Sequence, residues 1–190
     1  MSLRAYSEHA VLAEVHRIHA AMGFDTQRPP FSTTETIDKL FHEIEVRGEP
    51  MSKHAVIETY RKPLHDGIQA VIVYNSDDHH STQRFSIMHE VAHWVFDCAR
   101  GDAVPDEPAC DPDGHSMQER RANFFAGEFV MPLWRLDSFV SFEIYPNRDD
   151  TDAVAARDQA IQKLAARFNV SMYCAKRRVF DLHAWRKIAR

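Results

Sequence analysis

Phe85-Ser86-Ile87-Met88-His89-Glu90-Val91-Ala92-His93-Trp94-Val95-Phe96 is the stretch on which the reading of this chain turns. Phe85, Met88, Ala92, Val95 and Phe96 recur at helical spacing with no Gly or Pro among them, which predicts a half-buried helix. On a helix, His89 and His93 stack on one face, their side chains about 5–6 Å apart. Two imidazole nitrogens can then reach one Zn²⁺ at roughly 2.0–2.1 Å each. Glu90 leans beside them, where a carboxylate can take a proton from an attacking water. In a chain with 12 His, an HExxH spelling arises by chance in about one sequence in twenty, so the spelling needs a third ligand and a context.

A third ligand is sought in Ser116-Met117-Gln118-Glu119-Arg120-Arg121-Ala122-Asn123-Phe124-Phe125-Ala126-Gly127-Glu128-Phe129-Val130-Met131-Pro132. Ser116 with Glu119 forms a capping box, and Pro132 biases Met131 out of helix, so a helix spans the interval. At 100° per residue, Glu119 shares a face with Ala122, Asn123, Ala126 and Val130, small side chains that permit close approach to another helix. Glu128 lies half a turn away, beside Phe124 and Arg121. Glu119 is therefore the candidate that completes a two-His, one-carboxylate site with the fourth position open to water. The competing reading of Glu119 is a plain capping glutamate.

Length, composition and charge bound the setting. The chain has 190 residues, 44% hydrophobic and 27% charged, which suits one soluble domain with or without a small appendage. No run approaches the ~20 apolar residues of a membrane span, and the start lacks the apolar core of a signal peptide. Three unpatterned cysteines, Cys98, Cys110 and Cys174, point to a reducing, cytoplasmic setting. Residues 157–190 hold nine Lys and Arg against two Asp, a local charge of +7 that leaves −12 on the rest of a chain totalling −5. A basic end of this kind meets an acidic partner or nucleic acid, or is a solvated helix face.

Around these stretches the pattern predicts a first helix from about Ser2 to Met22, stopped by Gly23, with His16 and His19 as ordinary surface or boundary residues rather than ligands. Arg28-Pro29-Pro30-Phe31 is a rigid extended link. A second helix fits Thr34 to Arg47, capped by Ser32 or Thr33, striped by Ile37, Leu40, Phe41 and Ile44, and ended by Gly48. Two strands, Ala55–Tyr60 and Ile68–Tyr74, form a hairpin whose edge can pair with an extended substrate or lie under a loop. Residues 97–115 read as a long acidic loop containing Asp97. Cys98, Cys110 and His115 lack the spacing of a second metal site. Tyr60, His115 and Tyr145 are the polar side chains available to stabilise an oxyanion. Asp152 to Phe168, with Asn169 as C-cap, and a second helix capped by Ser171 make a basic helix-turn-helix-like pair; Lys176, Arg177 and Arg178 would be its phosphate-facing charges.

His89-Glu90-Val91-Ala92-His93 after Arg84-Phe85-Ser86, then Glu119, Ala122-Asn123, Phe125-Ala126 and Phe129-Val130-Met131-Pro132, then Leu164-Ala165, Phe168, Val170-Ser171 and Arg178, resemble the ImmA/IrrE family of metallopeptidases over roughly residues 55 to 182. The resemblance implies a compact zincin-like fold. The chain as a whole reads as α+β and mainly helical, with a small antiparallel sheet and helix-turn-helix-like C-terminal helices: residues 1–150 as the peptidase domain and 151–190 as a helical pair packed on it. It implies metal ligands at His89, His93 and Glu119, Glu90 as general base, zinc as the metal, and a cytoplasmic endopeptidase that cleaves helix-turn-helix transcriptional repressors. Two-His, one-carboxylate geometry also accepts Mn²⁺ or Fe²⁺. The chain departs from some relatives in showing neither an N-terminal helix-turn-helix fusion nor a C-terminal sensor domain. A regulatory DNA- or protein-binding module with a structural metal is the alternative.

Overall fold

The computed structural model describes residues 8–24, 29–98, 117–139 and 153–181. Among them the fold is α+β and mostly helical, with one three-stranded sheet. The helices are α1 (Glu8–Met22), α2 (Thr33–Leu40), α3 (His80–His93), α4 (Met117–Val130), α5 (Leu133–Phe139), α6 (Ala153–Phe168) and α7 (Met172–Asp181); the strands are β1 (Ile44–Glu49), β2 (Ala55–Thr59) and β3 (Ala70–Asn75). The chain separates into two compact units, residues 1–27 with 31–129, and residues 28–30 with 130–190.

In the first unit, α1 buries Val11, Val15 and Ile18 and stops where Gly23 takes φ 68°. The amides of Gly23 and Phe24 then cap the carbonyls of Ala20 (3.1 Å) and His19 (2.9 Å), a Schellman ending that only a left-handed residue allows. His19 departs from the surface or boundary place expected of it. It is 1% exposed, packed among Phe24, Phe31 and Phe129, and donates from Nε2 to the Phe129 carbonyl at 3.2 Å. His16 is exposed as predicted. Residues 2–7, the expected start of this helix, lie outside the described residues.

The predicted helix over 34–47 is two elements. Ser32 caps α2, its hydroxyl accepting from the Glu35 amide at 3.2 Å, but the last helical bond is Phe41 N–H to Ile37 O at 2.9 Å, and a turn then leads into β1. Phe41 and Ile44 are buried from that turn and strand, so an apolar repeat that fits a helix is met by other geometry. β-branched Ile44 and Val46 suit the strand, and pairing with β3 satisfies the backbone groups that face it. Gly48 is accordingly no helix stop. It lies opposite Tyr74, where an added Cβ would stand 2.8 Å from the ring.

β3 is central, in the order β1-β3-β2, so the sheet is mixed: β2 pairs antiparallel to β3 as the hairpin predicts, while β1 adds a parallel partner. Ala70, Val71 and Ile72 of β3 are buried. Along β2, Tyr60 N–H bonds Gln69 O (2.8 Å) and Asn75 N–H bonds His54 O (2.9 Å), which sets the hydrogen-bonded pairs at Val56–Val73 and Glu58–Val71. The backbone groups of Ala55, Ile57 and Thr59 therefore point away from β3, to an edge that no further strand covers among the described residues. Helix α3 packs against β2 and β3.

In the second unit, α6 ends as α1 does. Asn169 takes φ 50°, and the amides of Asn169 and Val170 reach Ala166 O (3.3 Å) and Ala165 O (3.0 Å). Ser171 Oγ accepts from the Cys174 amide at 3.1 Å and starts α7. Lys176 and Arg177 are exposed, but Arg178 is not the phosphate-facing charge expected of it. It is 3% exposed, and its Nε donates to Met131 O at 3.2 Å. A guanidinium spent on a carbonyl inside the unit is a packing element. Among the described residues no helix is long and apolar enough to cross a membrane.

Candidate metal centre

The residues of α3 divide cleanly between a packed face and a working face. Arg84, Ile87, Met88, Val91 and Ala92 are buried, and Arg84 donates to Phe31 O at 3.1 Å. His89, Glu90 and His93 are left on the other side, half-buried. The helix starts earlier than its apolar pattern, at His80, with His79 Nδ1 accepting from the Ser81 amide at 3.3 Å. Helix α4 meets the histidines with Glu119. Ala122 and Ala126 are buried as the small-residue face requires, while Asn123 is exposed and Glu128 is fully buried. Ser116 lies outside the described residues.

Three donors converge. Glu119 Oε2 lies 3.1 Å from His89 Nε2, Glu119 Oε1 lies 3.3 Å from His93 Nε2, and the two Nε2 atoms are 3.2 Å apart. Two ligands bound tetrahedrally at about 2.0–2.1 Å stand about 3.3 Å from each other. The two Nε2 atoms match that edge, each has one oxygen of Glu119 at a similar spacing, and one ligand atom from each residue can be chosen so that all three lie within 4.8 Å of one another, so the residues fit a metal ion. Their side chains are 15, 16 and 14% exposed, open enough for a further ligand to enter.

The surroundings tune each group. Burial pushes the Glu90 carboxyl above its usual range against the lowering pull of His89 and His93; Glu119 pushes the same way as burial, and a hydrogen bond from the Ile57 backbone N–H on the open edge of β2 opposes it. Burial alone would lower His93. The Asp97 hydrogen bond and the charges of Glu90, Glu119 and Asp97 outweigh it, and the ring is held above its usual value. Asp97 Oδ2 accepts from His93 Nδ1 at 2.9 Å, and Asp97 Oδ1 is paired with Arg121 of α4.

Asp97, expected in an acidic loop, instead lies against the centre. Past α3 the backbone continues as a π-helical turn, Trp94–Cys98, pinned by Trp94 Nε1 donating to Glu43 at 3.0 Å. The signal was present, because Asp97 follows His93 by the interval that separates His93 from His89. The Ile57 amide is a backbone group and leaves no mark in the sequence. Tyr60, one oxyanion candidate, donates its hydroxyl to Glu58 at 2.8 Å; His115 and Tyr145 lie outside the described residues, as does Cys110. Cys98 is a free, half-buried thiol whose pKa burial pushes up.

Two histidines one helical turn apart, a carboxylate from a second helix and a half-buried glutamate beside them are the equipment of a metallopeptidase. The profile of the IrrE N-terminal-like domain, a peptidase family, matches residues 42–180. The chain belongs to the ImmA/IrrE family, and its substrate is accordingly a protein. No curated protein matches the chain.

Proposed function

We propose that the chain is a zinc-dependent endopeptidase in which His89, His93 and Glu119 hold the ion and Glu90 is the general base. The observation that carries this reading is the convergence of His89, His93 and Glu119, whose ligand atoms lie within 4.8 Å of one another with Glu90 beside them. When bound, zinc supplies Lewis acidity toward the scissile carbonyl and the attacking water. Glu90 takes the proton of that water and returns it to the leaving amine. The outward backbone groups of Ala55 and Thr59, with the Ile57 carbonyl, hold an extended stretch of substrate by strand addition. The family resemblance supports a helix-turn-helix transcriptional repressor as that substrate, in a cytoplasmic setting.

The test uses purified protein loaded with one equivalent of zinc, incubated with helix-turn-helix repressors, with fragments identified by mass spectrometry. Cleavage that disappears in Glu90→Gln while zinc content stays at the wild-type level is the expected result. Cleavage that survives Glu90→Gln overturns the role of Glu90. Absence of cleavage together with salt-dependent DNA affinity carried by Lys176 and Arg177 would favour a regulatory DNA-binding module.

A further inference from the structure

Asp97 and Arg121 belong to no ligand set, yet both sit against the centre. Asp97 uses its two oxygens in two directions, Oδ2 toward His93 Nδ1 at 2.9 Å and Oδ1 toward the Arg121 guanidinium. Arg121 is itself held, its guanidinium carbon 5.1 Å from the centroid of the Phe96 ring, and Phe96 packs edge-on against Phe125 with centroids 5.9 Å apart. Phe96 and Asp97 belong to the π-helical turn that follows α3, whereas Arg121 and Phe125 belong to α4, which also carries Glu119.

Each contact has a consequence for the histidine. An imidazole bound to a metal through Nε2 must keep its remaining proton on Nδ1, and an acceptor at Nδ1 fixes both that tautomer and the ring plane. A carboxylate on a flexible segment would do so poorly. Here the fork of Arg121 occupies the other oxygen and an aromatic face holds the fork, so the carboxylate has one orientation left. The same pair ties the end of the helix bearing both histidines to the helix bearing Glu119.

We propose that Asp97 and Arg121 are positioning residues for the metal centre: Asp97 sets His93 with Nε2 toward the ion, and Arg121 acts only through Asp97. The inference rests on the metal reading above and is tested without turnover. Zinc affinity is measured by competition with a chromophoric chelator for wild type, Asp97→Ala, Asp97→Asn, Arg121→Ala and the Asp97→Ala/Arg121→Ala double variant, with the melting temperature of each metal-free protein beside it.

Asp97→Ala should weaken zinc binding by about 10–100-fold, as loss of a ligand's orienting carboxylate does. Asp97→Asn keeps an acceptor without the charge and should fall between wild type and Asp97→Ala. Arg121→Ala should weaken binding less than Asp97→Ala, and the double variant should bind no worse than Asp97→Ala alone. If Asp97→Ala binds zinc as wild type does, the relay is overturned and the pair is a structural tie that shows in melting temperature alone; if the two zinc-affinity losses multiply, Arg121 acts independently of Asp97 and the relay is likewise overturned. Failure of wild type to take up zinc is a different result, because it removes the metal reading itself.

Discussion

The backbone N–H of Ile57 pulls the Glu90 carboxyl down against the burial that raises it, linking the outward edge of β2 to the proposed base. Because that amide points away from β3, proline can stand at position 57 without costing a ladder bond, whereas at Val56 it would cost one. Ile57→Pro should lower turnover about tenfold relative to Ile57→Ala, the worth of about 1.5 kcal/mol in a hydrogen bond to a charged group, with zinc content unchanged. Equal turnover in the two variants would remove the contact from the mechanism.

Asp97 gives the metal-free protein a signature in acid. Burial would raise this carboxyl, but the His93 hydrogen bond and the Arg121 charge and hydrogen bond hold it below the usual range. A group whose pKa is depressed on folding stabilises the native state above its unfolded value of about 3.9, and that contribution is lost as pH falls through the folded value. Wild type should exceed Asp97→Asn in denaturant midpoint at pH 5–6, with the gap closing at lower pH. A gap that stays constant into acid would mean that the charge of Asp97 contributes nothing.

At Gly48 the crowding is steric. The Tyr74 ring would lie 2.8 Å from a Cβ there, so Gly48→Ala forces the ring aside and should cost about 1–3 kcal/mol. In a Tyr74→Val background the same substitution should cost much less, since the obstruction is gone. Thermal melts of the four proteins give the coupling, and additive costs would refute it.

The two Schellman endings make a matched pair. Gly23 and Asn169 hold φ of 68° and 50°, where alanine pays about 1–2 kcal/mol. Gly23→Ala and Asn169→Ala should both destabilise, whereas Asn169→Gly should be neutral or stabilising. Asn169→Gly melting below Asn169→Ala would show that the asparagine side chain matters more than its backbone conformation.

What could be read from the chain alone follows the range of the interactions. His89, Glu90 and His93 are legible because one helical turn brings them together, and Glu119 because the small residues on its face allow two helices to approach. The β2–β3 hairpin and the ends of α1 and α6 are equally local. β1 was unreadable for the opposite reason: Ile37, Leu40, Phe41 and Ile44 satisfy a helical period, and only pairing with a strand more than twenty residues away reveals the error. His19 and Arg178 look like solvent-facing residues until the carbonyls of Phe129 and Met131 are seen beside them.

The outward groups of Ala55, Ile57 and Thr59 are amides and carbonyls, common to every residue but proline. An edge of that kind reads conformation more than spelling: a segment drawn out straight is accepted, and the same segment coiled into a helix is refused. Selectivity then shifts to the target's own willingness to unravel. A protein substrate slightly loosened by heat or oxidation would be recognised by its lapse of structure, and a modest change in its folding equilibrium would become an irreversible cut.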